Sequence, residues 1–145
     1  MATIADVMQT KHHHVFTVSP STTVLDAAKL MNEEHIGAVV VVDGEQVAGI
    51  FTERDVMRRI VARQLDPSTV AVCEVMTRDV ACCTQDTRVD EARAVFKNHR
   101  IRHLPVIDER HRMAGMISIG DLNAYLASEQ DTTIRFLHEY LYGAV

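Results

Sequence analysis

The chain has 145 residues, 47% of them hydrophobic and 24% charged, as expected of an ordinary globular protein with one domain or two half-domains sharing a core. Its formal net charge of −5 argues against a general phosphate-backbone binder, so no nucleic acid is expected as a partner. No stretch approaches the length of a membrane span and the N-terminus lacks a signal peptide's apolar core, so no membrane partner and a cytoplasmic location are expected.

In chain order, a short amphipathic segment (residues 4–8) precedes an extended one, Val15-Phe16-Thr17-Val18, which ends at Ser19-Pro20. Thr22 is placed to cap a helix whose Val24, Ala27, Ala28 and Met31 share one face, and Gly37 punctuates its end. Residues 38–42 form an uninterrupted apolar run, as a strand buried on both faces would. Asp43-Gly44 marks a tight turn, residues 47–52 the partner strand, and residues 53–64 a second helix with Val56, Met57, Ile60 and Val61 inward. Residues 65–69, with Pro67, make a linker. The order then repeats: an extended segment at 80–84, a helix from Asp86-Thr87 carrying Val89, Ala92 and Phe96, strands at 103–108 and 113–118, and a helix over 121–128. Its inward residues are Leu122, Tyr125 and Leu126. Residues 132–142 read as a further helix with Ile134, Leu137, His138 and Leu141 on one side and Gly143 at its end.

The chain is therefore a tandem duplication. Val24, Ala27, Ile36, Val41 and Asp43 recur 65 residues later as Val89, Ala92, Ile101, Val106 and Asp108; Ala48, Gly49 and Asp55 recur after 66 as Ala114, Gly115 and Asp121. Asp6-Val7-Met8 is echoed by Glu74-Val75-Met76. The expected fold class is α/β (α+β), two β-α-β-β-α units at residues 4–65 and 70–128 packed by pseudo-twofold symmetry, plus a helical extension at 131–143. Seams between like units are where small ligands bind.

Each unit carries glycine, two apolar residues, a hydroxyl residue, two more, then aspartate: Gly49 to Thr52 and Asp55, and Gly115 to Ser118 and Asp121. The hydroxyl ends a strand and the aspartate opens a helix. Such a carboxylate can accept bonds from vicinal hydroxyls, as a ribose offers, each contributing about 1.5–3 kcal/mol. The helix start suits a nearby phosphate. Taken singly, each segment is equally an ordinary N-cap; recurrence in the same context favours a ligand.

These residues resemble the cystathionine β-synthase (CBS) domain family, as a tandem pair. The resemblance is carried by Val7-Met8 and Val75-Met76, by residues 36–43, by Ile101-Arg102-His103-Leu104-Pro105-Val106-Ile107-Asp108, and by the two glycine-to-aspartate segments. It implies a non-catalytic regulatory module that binds an adenosine-containing ligand (AMP, ADP, ATP, NAD or S-adenosylmethionine), with no prosthetic group. It further implies that Asp121 and Asp55 hold ribose hydroxyls, with Ser118 and Thr52 near ribose and phosphate. Adenine slots would involve Val80, Ala81, Pro105 and Met116 on one side and Val15, Phe16 and Ile50 on the other. Arg102 and His103 match phosphate-touching positions; the first unit has Gly37 and Ala38 there. Arg54 is expected to reach the opposite site, and the Asp121 site to be the better nucleotide site.

A homodimer stacked through helices and a separate effector protein are the expected partners. Two other classes stand beside this one. In one, the ligand sites are vestigial and residues 132–142 dock a partner. In the other, His12-His13-His14 and Cys82-Cys83 sense metal or oxidant. Consecutive histidines on an extended segment point alternately, no CxxC exists, and Cys73, Cys82 and Cys83 read as buried reduced thiols, so no metal site is expected. Arg54, Arg58, Arg59 and Arg63 form a basic helical stripe, read as a solvated face able to receive phosphates or an acidic partner. Neither a nucleophile elbow nor a Walker-type loop is present, and no catalytic residue is expected.

Overall fold

The computed structural model describes residues 1–10 and 15–142. The first copy runs α1 (Ile4–Thr10), β1 (Thr17–Val18), α2 (Val24–Glu34), β2 (Ala38–Asp43) and β3 (Gln46–Thr52). α2 buries Val24, Ala27 and Met31, the face that its spacing predicts. Its N-cap is Thr23, not Thr22. Thr23 Oγ1 accepts from the Asp26 N–H at 3.1 Å, while the Thr22 hydroxyl is engaged with Ser19. The helix stops before Gly37 because His35 adopts the left-handed conformation, φ 55°, and closes it. Ala38 to Val41 of β2 are all buried. β1 pairs with β2 in parallel and β2 with β3 antiparallel. Asp43 pairs with Gln46, so the turn residues are Gly44-Glu45, one place later than expected, with Gly44 at φ 65°.

The second copy runs α4 (Val72–Val75), α5 (Val89–His99), β4 (His103–Ile107) and β5 (Met113–Ser118). Val89, Ala92 and Phe96 of α5 are buried, and Arg100, equivalent to His35, closes the helix at φ 52°. α5 starts at Val89, later than Asp86-Thr87, with Arg88 as an extended N-cap that makes no side-chain bond; the Thr87 hydroxyl accepts from the Thr84 N–H at 3.0 Å instead. The extended segment expected at 80–84 makes one isolated parallel bridge, Cys83 to Val106. Both hairpins shift register at equivalent places, Val41/Val42 and Val106/Ile107.

The helices after the hairpins depart most from expectation. α3 (Glu53–Asp55) continues into a π-helical stretch, Val56–Val61, with the Ala62 N–H reaching Met57 O at 2.9 Å. Val56/Ile60 and Met57/Val61 compete for the inward face, and only one i, i+4 pair can take it. Ile60 is buried, whereas Met57 and Val61 are 57% and 67% exposed, contrary to the inward placement expected of them. α6 (Ile119–Tyr142) is continuous, so no break separates residues 121–128 from the tail. It buries Leu122. Gly143 and His12–His14 lie outside the described residues. No helix among the described residues is long and apolar enough to cross a membrane.

The copies exchange their leading helices. Ile4 and Val7 of α1 lie in the second copy's core with Phe96, Leu104, Ile117 and Leu122. Val72 and Val75 of α4 lie in the first copy's core with Val24, Val39 and Phe51. Backbone bonds fix the exchange: Ile4 N–H to Thr87 O at 2.8 Å, and Val72 N–H to Thr22 O at 2.8 Å. The hairpin tips meet where Gln46 bridges Arg112 and the Met113 N–H donates to Glu45 O at 3.3 Å.

Candidate functional site

The open ends of the two hairpins, opposite their tips, face a shared cleft of about 550 Å³, within the ~300–1,000 Å³ of small-molecule sites. β3 delivers Thr52 to it in an extended conformation, and the chain turns at once into α3. A capping box fixes that turn. The Thr52 N–H donates to Asp55 Oδ2 at 3.0 Å, and the Asp55 N–H donates to Thr52 Oγ1 at 3.2 Å. β5 and α6 repeat it: the Ser118 N–H donates to Asp121 Oδ2 at 2.8 Å, and the Asp121 N–H to Ser118 Oγ at 3.0 Å. The hydroxyl-to-aspartate spacing thus has a structural use in both copies. Asp55 is buried, and its second oxygen, Oδ1, stands 3.6 Å from Arg59 Nε. Arg59 also donates to the carbonyls of Val75 and Met76 at 2.8 and 2.9 Å, joining the carboxylate to the end of α4.

Of the residues singled out in the sequence, the structure brings Ile50, Thr52, Arg54 and Asp55 from the first copy onto one cleft with Arg102, His103 and Ser118 from the second. Asp121 stands behind Ser118 and does not line it. Ile50 and Met116, with Val15 and Val80 against them, form an apolar cluster between the copies that includes Ala38 and Val40. Phe16 packs against the first copy's core and Ala81 against the second's. Pro105 is buried, its carbonyl accepting from the Cys83 N–H at 2.9 Å.

The sequence reading did not assign Arg58, Arg59 or Arg100 to the site, though all three line the cleft. The Arg54-to-Arg63 stripe held a signal for the first two. Arg100 had only its adjacency to Arg102. The ion pairs among the described residues involve Arg59 and Arg112, leaving Arg54, Arg58, Arg100 and Arg102 exposed without one. Of the three thiols expected to be buried, Cys83 is buried and Cys73 and Cys82 are half-buried; burial raises Cys82, and burial together with the neighbouring Cys82 pushes Cys83 up to about 12, which makes these two poor nucleophiles. No cluster of three metal-ligating side chains occurs among the described residues.

Fold and cleft define a tandem-repeat module with a ligand-sized space between its copies. The CBS domain family matches residues 4–62 and 72–128, and the chain belongs to that family as a CBS pair. It is 39% identical to an uncharacterised 17.7 kDa protein of Acidianus ambivalens over 84% of this chain and 72% of that one. It is 36% identical to the mitochondrial CBS domain-containing protein CBSX3 of Arabidopsis thaliana over 97% of this chain and 72% of that one. A solved CBS-domain protein from Burkholderia ambifaria superposes with a TM-score of 0.83 at 39% identity, covering 89% of this chain and 96% of that one. The CBS pair of protein MJ0100, solved with 5′-methylthioadenosine and S-adenosylmethionine, shares the fold (TM-score 0.77, 22% identity, 89% and 98% covered). Hypoxic Response Protein I, solved with two zinc ions, has a TM-score of 0.73 at 28% identity, covering 86% and 99%.

Proposed function

We propose that this CBS pair is a non-catalytic regulatory module that senses an adenosine-containing ligand in the cleft between its copies. One observation carries the reading: Thr52 and Asp55 of one copy and Ser118 of the other face a single basic cavity of ligand size. The capping boxes hold Thr52, Asp55 and Ser118 in place beforehand, so ordering them for a ribose costs little. The Ile50, Met116, Val15 and Val80 cluster supplies apolar surface beside the cleft for a base. The adenosine derivatives bound by MJ0100 support the ligand class by analogy of fold.

Ligand that bridges the copies favours one relative placement of them, and an effector protein reads the shift; only differential affinity for two states can signal. The exposed Met57, Val61 and Leu65 strip serves a homodimer in this reading, and a cytoplasmic setting belongs to it. Zinc sensing has less behind it. Its histidines, His12–His14, lie outside the described residues, and burial keeps Cys82 and Cys83 protonated.

The test is thermal unfolding of wild type, Asp55→Asn and Asp121→Asn against AMP, ADP, ATP, NAD, S-adenosylmethionine, GMP and zinc. A ligand at a hundred times its Kd adds about 2.7 kcal/mol, a shift of several degrees. A shift with adenosine ligands is expected, reduced strongly in Asp55→Asn, which lines the cleft, and less in Asp121→Asn, which acts only through Ser118. A shift with zinc alone, or with none of them, contradicts the proposal.

A further inference from the structure

We propose that the protein dimerises by exchanging arms: the C-terminal part of α6 in one protomer lies over the Met57, Val61 and Leu65 strip of a second, and the second protomer's arm returns the contact. This rests on the homodimer reading, deepens it by naming what covers the strip, and does not depend on the ligand. Apart from Met1, the large hydrophobic side chains exposed among the described residues are Met57, Val61, Leu65 and Leu137. They stand in two places, the segment that follows β3 and the far end of α6. Val61 is 67% exposed and Leu137 48%, so neither place covers the other within one chain.

α6 has the reach for this. Its first turns are anchored, with Leu122 buried and Tyr125 and Leu126 packed on the second copy's core. Ala127, Ser128 and Glu129 are exposed, and the helix continues unbroken to Tyr142. At about 1.5 Å per residue, Leu137 stands about 16 Å beyond Leu126. In the sequence it shares a helical spacing with Ile134 and Leu141.

Charge decides what the strip receives. Arg54, Arg58 and Arg63 are exposed on residues 53–65, with Glu53 the one exposed acid there. Strip laid on strip would set arginine against arginine. From residue 129 to the end of α6 the sequence holds Glu129, Asp131 and Glu139 against Arg135 alone, so the arm brings the opposite sign. The second copy has no strip of its own: Asn123, Ala127 and Asp131 stand where the first has Met57, Val61 and Leu65. Each protomer therefore offers one strip and one arm, and a twofold dimer satisfies both pairs.

The experiment uses the full chain as wild type, Leu137→Glu, Val61→Cys, Leu137→Cys and the Val61→Cys/Leu137→Cys double variant, each with an unchanged circular dichroism spectrum to verify its fold. Sedimentation equilibrium is expected to show a wild-type dimer, weakened about tenfold or more in Leu137→Glu. A short bismaleimide should then give a dimer-sized product on denaturing gels from the double variant, and none from either single variant or wild type. A dimer-sized product from Val61→Cys alone means strip on strip, and one from Leu137→Cys alone means arm on arm. Either overturns the exchange and leaves the homodimer reading standing, as does a dimer that Leu137→Glu leaves intact or one whose double variant yields no product. An internally linked monomer means that the arm folds back on its own chain, which also overturns the exchange. A wild type monomeric at tens of micromolar overturns both the exchange and the homodimer reading.

Discussion

Met8 of the first helix lies against Gly115 of the second copy so closely that a Cβ at 115 would stand 2.5 Å from the Met8 methyl; Met76 stands to Gly49 in the same relation, 2.7 Å from Sδ. Each copy thus keeps a glycine at the point where its partner's leading helix crosses its strand. The repeat in sequence is a reciprocal embrace in space, which makes the two copies one folding unit and gives a ligand between them mechanical purchase on both.

Gly49→Ala is expected to cost more stability than Gly115→Ala. At Gly49 the new methyl also meets the Thr77 carbonyl at 2.7 Å, and backbone cannot yield, whereas at Gly115 it meets only the flexible end of Met8. Overpacking of this kind costs about 1–3 kcal/mol. Urea unfolding of the two variants checks the order, and equal losses contradict it.

Arg59→Leu removes both carbonyl bonds and leaves Asp55 buried beside an apolar side chain. Charge-assisted bonds contribute about 1.5–3 kcal/mol; with the Arg59 side chain 38% exposed, screening holds the expected loss to about 2 kcal/mol. Arg63→Leu on the same stripe should stay within about 0.5 kcal/mol. Chemical denaturation distinguishes the two.

The Cys83 pKa is raised in the folded protein to about 12, above its unfolded value near 8.5. The stabilisation this represents is full below the unfolded pKa and fades as pH rises from there toward the folded one. Unfolding midpoints should therefore fall between about pH 9 and 12, and less in Cys83→Ala. At pH 7.5 native Cys83 should resist alkylation that proceeds freely in denaturant. Rapid labelling of native Cys83 would favour an oxidant sensor.

Val61→Glu or Met57→Lys should convert a dimer to monomer with little change in the monomer's own stability, because both side chains are solvent-exposed within one chain. Sedimentation equilibrium reads this directly. A wild type monomeric at tens of micromolar removes the role given to that strip.

What was legible in the sequence was what local pattern encodes. The helical face of Val24, Ala27 and Met31, the buried run of β2 and the hydroxyl-to-aspartate turns all depend on neighbours within four residues. What was not legible depends on distant partners. The periodicity of residues 4–8 shows an apolar face and cannot say that it is buried under Leu122 and Ile117, more than a hundred residues away. Nor can it say which of two i, i+4 pairs wins in the π-helical stretch, where Ile60 is buried and Met57 and Val61 are exposed. Thr52 and Ser118 were identified as equivalents, each the centre of its own site; their arrival on one cleft with Arg58 and Arg100 required the packing of the copies.

The most direct measurement is an amide NMR titration of the 15N-labelled chain with ATP. The account predicts shifts concentrated at Thr52, Arg54, Arg102 and Ser118, from both copies at once and saturating together. Shifts confined to one copy, or to the Met57–Leu65 strip and the C-terminal half of α6, would contradict a ligand held between the copies.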